Sequence, residues 1–527
     1  MIPKDSGRKE NWYIRFITLC MSNFNIPRVI GKMIVDIVYS DNMVLQRNTH
    51  NYITGQCLDN EDVSIYFQGT RYRSQSKNNT WEICLDHLKE GGPYQLLIES
   101  HECQIIWEHI YVGDVFLAAG QSNMEYRLKD SYLGDEYIHS QELNNIYFFQ
   151  VPRVEYREKG QSYPRFEKPH WKEANPTTSG NLSAVAYHFV RTIRQYTDIP
   201  IGIVECNKGG TSASCWIPNK ELEKNIYLKE LYIDQYFQDI QDQSDEDENR
   251  KIDEFKQSLQ LYMQKVQSYK NNHPDHSMSE IKKAVGHTPW PGPKGKKDFG
   301  RPGGLYETMF SVIKTYSFAS VLWYQGEEDV KYAEYYDILL TLLIHKWRSD
   351  LRNNHLPFFC VQLPNYNDEK YDKWPILREK QALVSEKVKD VHLIVSIDCG
   401  EEFNIHPIHK EVIGQRLGKS VLLHYYNYSI QGDAPTIISI EYIDSKLYIK
   451  YNQNLYYKGE NIQEFEIENH LVRKPIYPEL KDGTLIFGID QDCTQLLYAY
   501  KNYPITNLYG INEIPIAPFR ITINKNV

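Results

Sequence analysis

The chain has 527 residues, of which 41% are hydrophobic and 24% are charged, and its formal net charge is -10. This composition is that of a globular protein and excludes an intrinsically disordered one. A chain of this length exceeds what one hydrophobic core usually organises, so several structural units are expected. The acidic excess and the lack of a Lys/Arg cluster argue against nucleic acid as a partner.

The nine cysteines are scattered and odd in number, and none has the spacing of a metal site. We therefore expect reduced core cysteines and no metal. The apolar run at residues 16–21 is too short and too interrupted for a signal peptide or a membrane span. These features predict a cytoplasmic protein that has no membrane partner.

After an N-terminal extension (residues 1–33), residues 34–110 alternate short β-rich runs with turn clusters. Residues 63–67 and 94–98 are two such runs, and the turn sequence KEGGP at 89–93 separates them from each other. Strands of this length at this spacing are typical of an antiparallel β-sandwich. We expect an N-terminal β-domain over residues 34–110.

From residue 111 the chain alternates apolar strands with helical patterns. The apolar runs lie at residues 115–119, 201–204, 320–324 and 392–396. Strands that are apolar on both faces and separated by helices indicate a parallel α/β sheet. We expect this sheet to organise a catalytic domain over residues 111–425.

Two further units follow from the pattern. Residues 220–299 are predicted to form a helical insertion, since apolar residues recur at helical spacing from Ile252 to Val266. The proline-rich stretch at 289–295 must be a loop that returns the chain to the sheet. Short alternating runs at 437–442 and 446–451 predict a C-terminal β-domain over residues 434–527.

The first chemistry-bearing motif is GQSNME at residues 120–125, directly after a predicted strand. A serine on a sharp turn at the carboxyl end of a parallel strand is well placed to act as a nucleophile, which makes Ser122 the candidate. Taken alone, the same residue would more often be an ordinary helix N-cap.

Three further loops follow three other predicted strands. Gly209 and Gly210 let backbone N–H groups converge on an anion, although glycine pairs are mostly simple turns. Gln325 offers an amide donor, and His406 offers an imidazole that takes a proton from serine. Because all four loops meet at the carboxyl edge of one sheet, together they indicate an acyl-transfer site.

These blocks resemble the sialate O-acetylesterase family, which are carbohydrate esterases among the SGNH hydrolases. The resemblance spans nearly the whole chain. It is carried by SDNMVLQR at 40–47, VGDV at 112–115, GQSNME at 120–125, GGT at 209–211 with Trp216, WYQGE at 323–327, IHP at 405–407 with Lys410, and GQRL at 414–417.

The resemblance implies a flavodoxin-like α/β/α SGNH-hydrolase domain with a parallel sheet, flanked by N- and C-terminal β-sandwich-like domains. It also implies hydrolysis of acetyl esters through an acyl-serine intermediate, without a metal or organic cofactor. Carried over by position, Ser122 is the nucleophile and His406 the general base. The oxyanion donors are the backbone N–H of Ser122, that of Gly210 or Gly209, and the side chain of Gln325.

We also expect four side chains of these blocks to contact the substrate: Gln121, Asn123, Trp216 and Glu327. The sequence departs from the family pattern before the histidine. SGNH enzymes often carry Asp three residues upstream, where this chain has Phe403, and Asn404 stands where similar sequences often have Asp. We assign Glu402 as the acid that orients His406, with Glu401, Asp398 or a Ser–His dyad as the alternatives.

The predicted activity is therefore removal of acetyl groups from carbohydrates, either sialic acid or an acetylated polysaccharide such as xylan. Trp216, Trp290 and Trp323 are candidates to stack on sugar rings, and the insertion is expected to select the substrate. The alternative from another class is a non-catalytic carbohydrate-binding protein whose esterase site has decayed through loss of its acid. A serine peptidase is disfavoured only by the resemblance.

Overall fold

The computed structural model describes residues 33–101, 103–140, 143–158, 169–368, 370–469, 472–489 and 493–523. The N-terminal extension lies outside this range, apart from Met33. Within the described ranges, no helix is both long enough and apolar enough to cross a membrane. The eight described cysteines are all free thiols.

Apart from β2, which pairs parallel with β8, the N-terminal strands form two antiparallel groups. One is a three-stranded sheet in the order β1-β3-β6, and in the other β4 pairs with β5 and β7, which passes the pairing on to β8. Their bounds are β1 Ile34–Val35, β2 Val44–Gln46, β3 Asn51–Gln56, β4 Asp62–Phe67, β5 Thr70–Gln75, β6 Thr80–Leu85 and β7 Gly91–Glu99.

Strand β8, Gln104–Gly120, is 17 residues long and joins this region to the central sheet. Its first half alternates exposed and buried residues and pairs antiparallel with β7, whereas its last nine residues, 112–120, are all buried. The boundary that we place between residues 110 and 111 therefore falls inside one continuous strand. The burial pattern changes because the first half of β8 is covered on one face, whereas its second half is covered on both faces.

The central sheet has the strand order β10-β9-β11-β8-β12-β13-β14. All of its pairings are parallel except that of β10 with β9. The runs predicted at 201–204 and 320–324 are confirmed as strands, while β9 and β13 were not predicted. The bounds are β9 Ile146–Gln150, β10 Lys172–Glu173, β11 Ile201–Asn207, β12 Ser320–Tyr324, β13 Phe358–Val361 and β14 Val391–Ile394.

The α-helices lie on both faces of this sheet and in the insertion. Their bounds are α1 Ser122–Glu125, α2 Gly134–His139, α3 Ala184–Arg194, α4 Asn219–Leu222, α5 Ile226–Leu228, α6 Gln235–Asp239, α7 Asp245–Asn272, α8 Met278–Val285, α9 Gly304–Thr308, α10 Tyr336–Asp350, α11 Trp374–Lys387 and α12 Glu411–His424. A π-helix spans Lys229–Asp234, and 3₁₀ turns span Leu128–Asp130, Ser179–Asn181, Ala213–Trp216, Phe310–Val312 and Glu327–Tyr335.

Two hydrophobic clusters place the helices. Helices α3 and α12 pack with Phe116 and Leu322 on one face of the sheet, whereas α10 and α11 pack with Leu117 and Trp323 on the other. Alternate residues of each strand point to opposite faces, which is why neighbouring residues enter different clusters. The result is a mixed α/β protein with helices on both sides of a mixed sheet.

The C-terminal strands form three small sheets with their own hydrophobic cluster. The sheet orders are β15-β16-β21-β20, β17-β23 and β19-β18-β22-β24. The bounds are β15 Ile437–Ile443, β16 Lys446–Tyr451, β17 Leu455–Tyr457, β18 Phe465–Asn469, β19 Val472–Pro475, β20 Glu479–Lys481, β21 Thr484–Gly488, β22 Gln495–Tyr498, β23 Leu508–Gly510 and β24 Phe519–Thr522. The strands predicted at 437–442 and 446–451 are confirmed as β15 and β16.

Candidate active site

Ser122 is the first residue of α1 and follows the end of β8 by two residues. Gly120 ends the strand with a φ of 138°, and a Cβ there would lie 2.1 Å from the backbone oxygen of Tyr324. Only glycine allows both this left-handed conformation and this close approach to the neighbouring strand. Strands β9 to β11 lie on one side of β8, and strands β12 to β14 lie on the other. Ser122 therefore stands at a topological switch point, where α/β sheets bind ligands.

His406 faces the serine. Its Nε2 lies 2.8 Å from Oγ of Ser122, although the two residues are 284 positions apart in the sequence. His406 is carried by the loop between β14 and α12. In the tautomer that has its proton on Nδ1, Nε2 accepts the hydroxyl proton of Ser122, which is the geometry of a nucleophile with its general base.

The imidazole is held neutral by its surroundings. Burial, together with the positive charges of Lys282 and Lys410, lowers the pKa of His406 from 6.5 to about 3. A neutral imidazole is ready to accept a proton. The same burial and charges make the imidazolium that forms during catalysis more costly.

Asn404 lies two residues before His406, where the resemblance led us to expect an acid. Its Oδ1 accepts hydrogen bonds from Nζ of Lys282 at 3.0 Å and from the backbone N–H of His406 at 3.3 Å. Its Nδ2 donates to Oε2 of Glu401 at 3.1 Å and to the backbone oxygen of His406 at 2.8 Å. Since a lysine ammonium only donates, the atom facing Lys282 must be the amide oxygen. The side chain braces the histidine loop and carries no charge.

Among the described residues, no carboxylate forms a hydrogen bond with His406. The structure does not bring Glu402, our predicted orienting acid, to the imidazole; its backbone oxygen accepts from the N–H of Asn367. Glu401 contacts Asn404 and accepts from the N–H of Ile408 at 2.9 Å. Asp398 is paired with Arg416 at 2.6 Å. The geometry is therefore that of a Ser–His dyad.

Two backbone N–H groups remain open beside Ser122. Within the described part of the chain, the N–H groups of Ser122 and Gly210 have no hydrogen-bond acceptor, so both can donate to an oxyanion. The N–H of Gly209 instead donates to Oε2 of Glu125 at 2.5 Å. A Cβ at Gly209 would lie 3.2 Å from that of Ser122, which places this loop directly against the nucleophile. Of the two glycines, Gly209 has its N–H committed, and the N–H of Gly210 has no acceptor among the described residues.

Gln325 differs from our expectation. Its side chain is fully buried, and Nε2 donates to the backbone oxygen of Thr211 at 3.0 Å and to Oδ2 of Asp329 at 2.7 Å. Its Oε1 accepts from the hydroxyl of Tyr336 at 2.8 Å. Both amide hydrogens are thus committed within the protein. Gln325 fixes the loops that follow β11 and β12, and its amide has no hydrogen left to donate to a substrate.

Three of the side chains that we expected to contact the substrate form hydrogen bonds with neighbouring loops of the protein. Oε1 of Gln121 accepts from the N–H of Gly326 at 3.2 Å. Asn123 donates to Oε1 of Glu327 at 2.5 Å and accepts from Nζ of Lys410 at 2.6 Å. Burial raises the pKa of the Glu327 carboxyl and lowers that of the Lys410 ammonium to about 7. Gln121, Asn123 and Glu327 therefore connect the nucleophile turn to the loops around it.

The tryptophans separate into buried and exposed ones. Trp216, the fourth expected substrate contact, is fully buried, and its Nε1 donates to Oγ1 of Thr211 at 3.2 Å. Trp323 is also fully buried. Trp290 is 43% exposed and packs on Gly210, where a Cβ would lie 2.1 Å from its ring. Of the three stacking candidates, only Trp290 is both exposed and next to the site.

Sequence reasoning missed Lys282 and the role of Glu125. Lys282 lies on α8 of the insertion, 122 positions before the asparagine that it contacts, and nothing in its local sequence indicates that approach. Glu125 belongs to the GQSNME motif, and its position three residues after the nucleophile was a usable signal. Only the fold shows that its carboxylate accepts the hydrogen bond of Gly209.

Three comparisons place this chain among known proteins. Sialate O-acetylesterase of Rattus norvegicus is 23% identical over 428 residues, which cover 74% of this chain and 72% of that protein. The Mus musculus protein of the same name is 22% identical over 425 residues, with 74% and 72% covered. The crystal structure of a carbohydrate acetylesterase from Xanthomonas citri superposes with a TM-score of 0.74 at 22% identity, covering 93% of this chain and 99% of that one.

The family model described as "Carbohydrate esterase, sialic acid-specific acetylesterase" matches residues 112–273 and 242–423. Together these segments cover more than half of the 527 residues and include Ser122, Gly210 and His406. The family hydrolyses O-acetyl esters of carbohydrates, in agreement with the resemblance carried by the sequence motifs. The chain is an esterase and belongs to the carbohydrate esterase, sialic acid-specific acetylesterase family.

Proposed function

We propose that this protein is a serine esterase that removes O-acetyl groups from carbohydrates through an acyl-serine intermediate on an SGNH-type, flavodoxin-like sheet. The observation that carries the proposal is the distance of 2.8 Å between Oγ of Ser122 and Nε2 of His406. The two open N–H groups of Ser122 and Gly210 support it, because acyl transfer needs donors beside the nucleophile. The N- and C-terminal strands are proposed to be β-sandwich-like flanking domains.

In the acylation step, Oγ of Ser122 attacks the acetyl carbonyl carbon while Nε2 of His406 takes the hydroxyl proton. The carbonyl oxygen becomes an oxyanion, which accepts hydrogen bonds from the N–H groups of Ser122 and Gly210. Collapse of this intermediate breaks the bond to the sugar oxygen, and His406 returns its proton to that oxygen. The products are the free sugar hydroxyl and an acetyl-serine.

In the deacylation step, His406 takes a proton from water, which attacks the acetyl-serine. A second oxyanion forms in the same place, and its collapse releases acetate and restores the Ser122 hydroxyl. In a complete triad, a carboxylate stabilises the imidazolium in both steps, whereas here Asn404 holds the loop without a charge. Turnover is therefore expected to be slower than in an enzyme that has a full triad.

The substrate is proposed to be an acetylated carbohydrate, either sialic acid or a polysaccharide such as xylan. The rat and mouse relatives are called sialate O-acetylesterases, which favours testing sialic acid first. A cytoplasmic location is part of the proposal, and the eight cysteines that the structure describes, all free thiols, support it because reducing compartments keep thiols free.

A second candidate function is glycan binding without hydrolysis. The observation that favours it is Asn404, which leaves His406 without a carboxylate partner among the described residues. The intact hydrogen-bonding distance between Ser122 and His406 favours catalysis.

The test is acetate release from 9-O-acetylated sialic acid, acetylated xylo-oligosaccharides and an aryl acetate. We expect release from at least one sugar, its complete loss in Ser122→Ala, and no change in Ser131→Ala, a control whose hydroxyl donates to the backbone oxygen of Leu128. A fluorophosphonate should label the wild type and not Ser122→Ala, because only an activated serine reacts. No release and no labelling by folded protein would overturn the esterase and favour the binding function.

A further inference from the structure

A cavity of about 440 Å³ lies beside the nucleophile, between the helical insertion and the loop that follows β12. This volume is within the range of about 300–1,000 Å³ that is usual for small-molecule sites. Six aromatic residues line it: Tyr232, Tyr236, Phe255, Trp290, Phe299 and Tyr332. Neither Ser122 nor His406 is among the lining residues, so the cavity is a neighbour of the catalytic dyad.

Gly210 connects the cavity to the dyad. It lines the cavity and carries one of the two open N–H groups proposed for the oxyanion. Its φ of 69° and its lack of a side chain let the Trp290 ring pack on its backbone, since a Cβ would lie 2.1 Å from the ring. A ligand that has its ester at Ser122 therefore reaches the cavity directly across Gly210.

Trp290 is held in a fixed orientation while almost half of it stays exposed. Its Nε1 donates to Oε2 of Glu328 at 2.7 Å, and its ring lies between Phe255 and Phe299 with both centroids 6.2 Å away. A side chain fixed in this way loses little conformational freedom when a ligand stacks on it. The exposed part of the indole is a preformed platform.

The rest of the lining mixes apolar and polar side chains. It includes carboxylates, hydroxyls and ammonium groups: Glu155, Ser212, Ser214, Lys256, Lys297 and Asp298. Sugars combine an apolar C–H face with a ring of hydroxyls, so they match an aromatic platform that is surrounded by such groups.

We propose that this cavity binds a second sugar ring of the substrate, so that the natural substrate is an acetylated oligosaccharide and not a single sugar. Trp290 stacks on that ring and Phe255 supports the platform from the insertion. The inference rests on the proposed function, because it takes the acetylated ring to lie at Ser122.

The test compares kcat/KM for three acetyl esters: an aryl acetate, 9-O-acetylated free sialic acid, and oligosaccharides (9-O-acetylated sialyllactose and acetylated xylotetraose). We expect Trp290→Ala and Phe255→Ala to lower kcat/KM on the preferred oligosaccharide by about 10- to 100-fold, mainly through KM, and Phe255→Ala to lower it on the aryl acetate less than about twofold. Phe255 packs against Trp290 and Gly292, whereas the ring that packs on Gly210 is that of Trp290, so the Phe255 variant is the one that separates the cavity from the oxyanion loop. Phe237→Ala, an exposed aromatic of the insertion outside the cavity lining, should change nothing.

Binding to catalytically dead protein gives a second readout. Calorimetric titration of Ser122→Ala with xylotetraose and with sialyllactose should show binding of one of them that is tighter than binding of its monosaccharide, and that is lost in the Ser122→Ala, Trp290→Ala protein. If the variants lost equal activity on all three esters, or if the protein showed no preference for the oligosaccharides, the proposed sugar-binding role of the cavity would be overturned. The esterase function would stand. Failure of wild-type protein to release acetate from any ester would overturn the proposed function, and the titration would still decide the cavity.

Discussion

Lys282, on the last helix of the insertion, donates a hydrogen bond of 3.0 Å to the side-chain oxygen of Asn404, two residues before the histidine that faces Ser122. The insertion thus reaches the histidine loop from outside the central sheet. Burial lowers the pKa of Lys282, while the charge of Glu401 acts in the opposite direction. In a complete triad, an acceptor in this loop would face the imidazole of His406. Here the side-chain oxygen of Asn404 accepts a hydrogen bond from Lys282.

The first prediction concerns the missing acid. Asn404→Asp places a carboxylate where the amide accepts from the backbone N–H of His406, and that carboxylate stabilises the imidazolium. Replacing the acid of a complete triad by its amide lowers kcat about 10,000-fold. Because Lys282 competes for the new carboxylate, we expect a smaller reverse effect, a rise in kcat of about 10- to 100-fold on an aryl acetate.

The control for added negative charge is Asn427→Asp, at an exposed position away from the site. It should leave kcat unchanged. A folded Asn404→Asp protein with unchanged or lower kcat would show that Asn404 is not in the place of the triad acid.

The second prediction concerns pH. Only neutral His406 accepts the serine proton, and burial together with Lys282 and Lys410 lowers its pKa to about 3. As pH falls, the imidazole therefore stays neutral well below 6.5, and kcat/KM on an aryl acetate should show no acid limb near that value. Lys282→Met removes a positive charge, which should raise the histidine pKa and move the limb to higher pH.

The measurement is kcat/KM against pH at constant ionic strength, with circular dichroism to verify folding at each point. Lys251→Met, an exposed lysine on α7, is the matched control and should leave the profile in place. An inflection near pH 6.5 in the wild type would contradict the prediction.

The third prediction concerns Gln325. Its three hydrogen bonds hold Thr211, Asp329 and Tyr336, so Gln325→Ala leaves buried partners unsatisfied. We expect the free energy of unfolding to fall by roughly 2–4 kcal/mol in urea titrations, since each unsatisfied buried group costs about 1–3 kcal/mol. The kcat/KM of the folded protein should fall less than about tenfold, whereas losing an oxyanion donor costs about 100- to 1,000-fold. A loss of that larger size with unchanged stability would restore Gln325 as an oxyanion donor.

The fourth prediction concerns Glu125. Its carboxylate accepts from the N–H of Gly209 at 2.5 Å and pairs with Arg153 at 2.7 Å. Glu125→Ala releases the glycine loop, and we expect kcat to fall about tenfold with little change in KM because the neighbouring oxyanion donor is displaced. Glu125→Gln keeps an acceptor oxygen and should retain most of the activity. Glu136→Ala, an exposed acid on α2, serves as the control. Equal losses in the alanine and glutamine variants would mean that the charge matters and the acceptor does not.

Much of the scaffold was predictable because strand patterns are local. The apolar runs that begin at residues 115, 201 and 320 specify buried strands. The carboxyl ends of parallel strands meet at one edge of a sheet. This rule is why Ser122 and His406 could be expected to meet across 284 positions. Strand β13 escaped prediction, since a buried run as short as FFCV has no periodicity that separates it from other apolar segments.

The sequence alone determined the family, the apolar strands at residues 115–119, 201–204 and 320–324, and the choice of Ser122 and His406 as candidate nucleophile and base, because these depend on short motifs and on hydrophobic periodicity. Only the tertiary structure decided which partners each side chain uses. In the folded protein, the side chain of Asn404 accepts from Lys282, and both amide hydrogens of Gln325 bond to neighbouring groups. Trp290 is partly exposed, whereas Trp216 is buried. Hydrogen-bond partners and exposure depend on groups brought together from distant parts of the chain, and no local pattern encodes those encounters.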